Sequence, residues 1–198
     1  MFTGEDDPSK IGQISSWNHQ TRTHYQGKCG EIRGSASGFY PPNIQSDTLE
    51  LFSHEACTTL SFKSFNETET HHGIEGTIFE LPVTAFANET VHEENWCYEN
   101  NLPSGMQNVT QCKGKKGKKS PLFLSMPHFY GADEYYINQF DPRSNFLPTK
   151  CDHGSRFVML KVITDSKNIF MFQSLIMTFY FAGNGNSFGF QIEVTTEH

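Results

Sequence analysis

The sequence predicts a mainly β chain with short helical segments. Three observations carry that prediction. Aromatic, β-branched and turn-forming residues are plentiful while strong helix formers are few, apolar residues alternate with period two in several segments, and helical periodicity is weak throughout. Phe alone supplies 18 of 198 residues, and the length suffices for one domain with a sizeable core. Residues 11–17 read as a strand after the polar turn at Asp6, Asp7, Pro8 and Ser9. Residues 34–42 are a Gly/Ser/Pro loop. Leu49 and Leu51 alternate with Thr48, Glu50 and Phe52, and Leu60 and Phe62 with Ser61 and Lys63, so residues 48–52 and 59–65 are half-buried strands. Residues 76–81 form another short strand, stopped by Pro82. The polar, turn-rich residues 86–111 are a long loop of the kind a disulfide holds in place. Residues 121–126 are a compact apolar strand ended by Pro127, and residues 132–140 supply one or two helical turns with Asp133 near their start. Residues 156–163 and 169–182 read as strong strands. Asn184, Gly185 and Asn186 then signal a hairpin turn before the alternating Phe188, Phe190, Ile192 and Val194.

Charge excludes one function class. Acidic residues outnumber basic ones by 22 to 15, so the chain lacks the basic surface that a general nucleic-acid binder needs. The N-terminal residues have neither a basic nor an apolar signal region. The most apolar stretch, residues 169–182, includes Gln173, Ser174 and Thr178 and falls short of the roughly 17–25 residues of a spanning helix. These points alone describe a soluble cytosolic protein. The cysteines and glycosylation sequons oppose that reading.

Cys29, Cys57, Cys97, Cys112 and Cys151 include no C-x-x-C pair and no His at zinc-finger spacing, so a structural zinc site is not expected. Their wide spacing suits disulfides between distant strands, with buried free thiols as the alternative. Spacing leaves the pairing open: five choices of unpaired cysteine times three connectivities give 15 arrangements. Asn66, Asn88 and Asn108 each begin an Asn-x-Thr sequon in a polar stretch. Three sequons beside spaced cysteines point to an oxidising compartment.

Chemistry-bearing clusters are few. Lys113, Lys115, Lys116, Lys118 and Lys119, spaced by Gly, concentrate positive potential on an acidic chain and suit a polyanion or an anionic phospholipid surface; a solvated inserted loop is the alternative. His71 and His72 are adjacent and would point to opposite faces of a strand, a poor chelate. His128 has no nucleophile or orienting acid near it in sequence. No P-loop, G-x-S-x-G or G-x-G-x-x-G occurs, so the chain reads as a non-enzyme with no cofactor.

Residues 95–136 carry a family resemblance. The run Leu102-Pro103-Ser104-Gly105, then Asn108-Val109-Thr110 and Cys112, and the run Pro127-His128-Phe129-Tyr130 with Ala132-Asp133, resemble the class B scavenger receptor family. Further segments agree in order: Thr3-Gly4 with Asp6, Lys10, Gly12 and Trp17-Asn18; Cys29 with Gly34-Ser35 and Pro41-Pro42; Leu51-Phe52-Ser53 with Cys57; and Gly73-Ile74 with Phe79, Leu81-Pro82 and Phe86-Ala87-Asn88. The match spans residues 1–163, which leaves 164–198 as a divergent β-hairpin tail.

The resemblance implies a partial antiparallel β-barrel from a glycosylated ectodomain held by two membrane helices that lie outside this chain. It implies binding or transfer of lipids, lipoproteins or apoptotic-cell ligands at the extracellular face of the plasma membrane. A lysosomal sorting receptor of the same fold, binding a protein cargo at the lysosomal membrane, is the second expectation; a small secreted β-domain is the third. The resemblance further implies disulfides joining Cys29 to Cys97 and Cys57 to Cys112. The family's third bridge would fall at Glu99 and Asn101, where both cysteines are absent, and Cys151 has no family counterpart.

Overall fold

The computed structural model describes residues 1–36, 40–41, 46–71, 74–112 and 121–139, and beyond these the backbone of strands between residues 156 and 195. Ten strands and one short helix follow in order: β1 (Thr48–Ser53), β2 (Thr58–His71), β3 (Ile74–Glu80), β4 (Met106–Asn108), β5 (Leu122–Ser125), α1 (Glu134–Ile137), β6 (Arg156–Leu160), β7 (Val162–Ile163), β8 (Ile169–Phe170), β9 (Ser174–Gly183) and β10 (Asn186–Thr195). Among the described residues every ladder between these strands is antiparallel. They make one sheet in the order β1-β2-β3-β6, a second in the order β10-β9-β5-β4 and a two-stranded β7-β8 ribbon. Among the described residues these sheets are open and close no barrel.

The core lies between the two larger sheets. Leu49, Leu51, Leu60, Phe62 and Phe79 from the first meet Leu122, Leu124 and Met126 from the second strand system, with Leu81, Phe86 and Val109 filling in from the loops. Period two accounts for Leu49 and Leu51, but Phe52 is buried as well. Its ring meets Trp17 at 5.7 Å, so the polypeptide before β1 covers the face that alternation assigns to solvent.

That preceding segment corrects one expectation. Residues 11–17 form no strand: Pro8–Lys10 is a 3₁₀ turn capped by Asp7, and Gln13 and Trp17 take part only in isolated bridges. Trp17 and Gln20 close a two-residue turn through two mutual backbone bonds, with Asn18 and His19 both at positive φ (51° and 62°). This is the twisted turn that suits a hairpin and tolerates Asn. The chain then returns along β1. Ser35 N–H donates to the Glu50 carbonyl at 2.9 Å and Phe52 N–H to the Ser35 carbonyl at 2.7 Å, in a parallel bridge that covers the outer edge of β1. Gly34 makes the approach possible, since its φ is +78° and a Cβ there would strike the Glu50 carbonyl. The long apolar run also differs from expectation: residues 169–182 divide into β8 and most of β9, and residues 156–163 into β6 and β7. The loop at 86–111 holds a 3₁₀ turn at Glu93–Tyr98 and the short β4.

Two disulfides anchor this loop-rich half. Cys29 joins Cys97 and Cys57 joins Cys112, with Cα separations of 5.8 and 5.6 Å and sequence separations of 68 and 55 residues. In the chain-entropy account each contributes about 4 kcal/mol by restricting the unfolded chain. Both belong to one cluster with Tyr25, Trp17 and Tyr98. Thr58, at the start of β2, donates to the Cys29 carbonyl at 2.9 Å and shares a 3.0 Å hydrogen bond with the Tyr98 hydroxyl. Tyr25 and Tyr98 meet edge to face at 5.2 Å. The Tyr25 hydroxyl receives the buried Gln107 amide at 3.3 Å and donates to the Asn108 carbonyl at 3.4 Å, which ties the cluster to β4.

Two outcomes follow from this packing. Phe62 is fully enclosed, so Phe62→Ala is expected to lose about 3–5 kcal/mol in denaturant unfolding, against less than about 0.5 for Val91→Ala at an exposed position. Burial pushes the Tyr25 hydroxyl up to about 12. The folded chain therefore holds that proton after the unfolded chain has released it near pH 10, and stability, unaffected below that point, falls as pH rises from about 10 towards 12. Tyr25→Phe is expected to lower stability at pH 8 by about 1 kcal/mol yet flatten part of the alkaline decline, read as urea midpoints between pH 8 and 11.

Candidate functional site

Several of the residues that carry the resemblance converge at one junction. Its parts are the loop after β3, the Leu102–Gly105 segment, and the turn that leads into α1. Gly105 N–H donates to the Phe86 carbonyl and Asp133 N–H to the Ser104 carbonyl, each at 2.9 Å. The Tyr136 hydroxyl donates to the Pro103 carbonyl at 3.0 Å, and its ring stacks on Phe129 at 5.4 Å. Asp133 caps α1 by accepting from Tyr135 N–H at 2.8 Å, as its place near the helix start leads one to expect. Gly105 sits at φ +96°, and a Cβ there would run into Ala132, which explains the glycine of the Leu-Pro-Ser-Gly run.

Side-chain amides do the work that regular strands do elsewhere. Asn95 donates to the Thr84 and Ala87 carbonyls at 2.9 and 2.8 Å, Asn88 to Leu102 at 3.2 Å, and Asn100 to Met106. Each removes a loop carbonyl from the list of groups that would otherwise need water. Sequence reading saw this region as polar and turn-rich and missed these roles, because Asn in a loop has the same appearance whether it faces solvent or closes a turn.

The three sequons stand on three different elements. Asn66 lies in β2 at an irregularity of the β2–β3 ladder, Asn88 in the loop after β3, and Asn108 at the end of β4. Asn108 is exposed, and its side-chain oxygen accepts from Thr110 N–H at 3.0 Å. Asn88 is half-buried, and its oxygen accepts from the Thr90 hydroxyl at 2.7 Å. Lys113, Lys115, Lys116, Lys118 and Lys119 lie outside the described residues, as does Cys151. What the structure does describe is the base of the lysine segment. Cys112 is bridged to Cys57, Val109 N–H donates to the Leu122 carbonyl at 2.9 Å, and Leu122 N–H donates to the Thr110 hydroxyl at 2.9 Å. The five lysines are therefore carried on a segment pinned at both ends.

Ionic chemistry is otherwise structural. Arg33 bridges Glu50 at 2.6 Å and Glu31 at 2.7 Å, and these carboxylates keep its guanidinium pKa raised although partial burial opposes them. Lys28 meets Glu94 at 2.6 Å and holds that exposed carboxyl below its ordinary value. Among the described residues no group of three or more His, Cys, Asp or Glu converges on a metal-sized site, and no helix is long and apolar enough to cross a membrane. A cleft of about 200 Å³ beside β1, lined in part by Ser35, Tyr40, Thr48 and Glu50, is smaller than the roughly 300–1,000 Å³ of ordinary ligand pockets.

Comparison with known proteins places this arrangement. The chain is 34% identical over 146 residues to Protein peste of Drosophila melanogaster, covering 71% of this chain and 25% of that protein. It is 36% identical over 136 residues to scavenger receptor class B member 1 of Rattus norvegicus, covering 67% of this chain and 26% of the relative. To lysosome membrane protein 2 of Homo sapiens it is 29% identical over 169 residues, 83% of this chain and 33% of the relative. The chain thus spans about a quarter to a third of the length of the curated relatives it matches. The model of the CD36 family matches residues 1–164, which include the disulfide cluster and the whole of the junction, and the chain belongs to the CD36 family.

Proposed function

We propose that this chain is part of the ectodomain of a membrane scavenger receptor that binds or conveys lipid, lipoprotein or apoptotic-cell ligands by noncovalent capture. The observation that carries this reading is the family match over residues 1–164, together with the similarity to a receptor whose name places it in class B. In this reading residues 1–163 are the C-terminal part of the ectodomain and 164–198 a divergent β-hairpin tail. Membrane helices outside this chain hold it at the extracellular face of the plasma membrane. A lysosomal sorting receptor that binds a protein cargo is the second reading, favoured by the similarity to lysosome membrane protein 2.

Within that reading Asn66, Asn88 and Asn108 carry N-linked glycans. The fold is compatible with one at Asn88, because a glycosylated amide keeps one N–H, enough for its single described donation to Leu102. The lysines at 113, 115, 116, 118 and 119 attract anionic phospholipid headgroups. Each lysine near an anionic surface contributes about 1 kcal/mol, so five on one pinned segment make a strong, salt-dependent contact.

Full-length transcript sequencing is expected to find apolar segments of about 20 residues on both sides of this region, and genuine start and stop codons at residues 1 and 198 would sink the receptor reading. Replacing the five lysines with Ser is expected to weaken binding to phosphatidylserine vesicles at least about tenfold, with little change on phosphatidylcholine. Equal binding by both forms would leave the segment as a solvated loop.

A further inference from the structure

Most tyrosine hydroxyls among the described residues are turned inward. Tyr25 donates to the Asn108 carbonyl, Tyr40 to the Glu50 carbonyl at 3.2 Å and Tyr136 to the Pro103 carbonyl at 3.0 Å, while Tyr98 shares its hydrogen bond with Thr58. Tyr130 is half-buried and packs against the core between the sheets. Tyr135 differs: it is 57% exposed, the most of any tyrosine among the described residues. Its place is fixed from the inner side. The Tyr135 N–H donates to the Asp133 carboxylate at 2.8 Å, and its ring meets the edge of the Tyr136 ring at 5.4 Å. Tyr136 is itself buried and stacked on Phe129, so the anchored ring holds its neighbour on the outer side of α1.

The charge around Tyr135 has one sign along the chain. Asp133 and Glu134 directly precede it and both are exposed, Asp141 follows, and no Lys or Arg occurs from residue 120 to residue 142. An enzyme that transfers a sulfuryl group must hold an anionic nucleotide donor with cationic side chains, and the same field attracts carboxylates beside the acceptor tyrosine. Tyr136 has the same acidic neighbours, but its hydroxyl is committed to Pro103, so the fold distinguishes two tyrosines that the sequence places side by side. We propose that Tyr135 is a site of O-sulfation by a transferase of the secretory pathway that uses a phosphosulfate nucleotide as donor. The inference rests on the ectodomain reading above, which puts this chain in that pathway.

The step is a group transfer without oxidation or reduction. The Tyr135 hydroxyl oxygen bonds to the sulfur of the donor, the bond from that sulfur to the phosphate oxygen breaks, the nucleotide phosphate leaves, and the phenolic proton passes to the transferase. The product adds a permanent negative charge beside Asp133 and Glu134.

The test uses the whole chain, secreted from animal cells behind a leader sequence. Trypsin frees the peptide of residues 120–143, and mass spectrometry reads sulfate on it, distinguished from phosphate by resistance to alkaline phosphatase. The unsubstituted chain is expected to carry sulfate on that peptide, Tyr135→Phe to lose it and Tyr130→Phe to keep it. Glu134→Gln is expected to lower the sulfated fraction about threefold, and Glu134→Asp to keep it. Should Tyr135→Phe fail to be secreted, fragmentation by electron transfer, which preserves the sulfate, locates it in the unsubstituted chain. A bare peptide, phosphate in place of sulfate, sulfate that persists in Tyr135→Phe, or a fraction indifferent to Glu134→Gln overturns the proposal. Because the leader supplies entry to the pathway, each of these results leaves the ectodomain reading standing; that reading stands or falls on the transcript.

Discussion

The constraint on which the rest depends is the meeting of two disulfides in one small core at the start of β2. Cys29–Cys97 ties the segment before β1 to the loop after β3, and Cys57–Cys112 ties the residue just before β2 to the segment just after β4. Thr58 joins the two through the Cys29 carbonyl and the Tyr98 hydroxyl. Long irregular segments cost much conformational entropy and supply few regular backbone bonds in return. Two covalent closures in the same place offset that cost for both segments at once, and so let the chain carry this much loop beside short strands.

Given those anchors, the loops obey the same polar rule as the sheets. Their carbonyls find partners in Asn88, Asn95, Asn100 and Tyr136 in place of a neighbouring strand. Several residues that carry the family resemblance therefore lie where secondary structure is least regular. Gly105 answers to a close backbone approach and Asp133 to a helix cap. The described part of the signature thus builds a scaffold.

Much of the fold was legible in the residues. Leu49, Leu51, Leu60 and Phe62 gave away β1 and β2 through period two, and Asp133 marked the start of α1. Phe52 and residues 11–17 were not legible, for a shared reason. The face of β1 that Phe52 occupies is buried by Trp17, a residue thirty-five positions earlier, and the segment that holds Trp17 uses its backbone bonds to wrap β1 in place of forming a strand of its own. Local periodicity carries no record of such a partner.

By itself the sequence determined the β character, the acidic balance and the family, because each follows from residue type and order alone. Tertiary structure decided the rest. Which loop asparagines close a carbonyl, and which earlier segment covers Phe52, are questions of three-dimensional distance. Spacing alone leaves fifteen cysteine arrangements open; the family resemblance implies Cys29–Cys97 and Cys57–Cys112, and the fold brings those partners, 68 and 55 positions apart, within bonding distance.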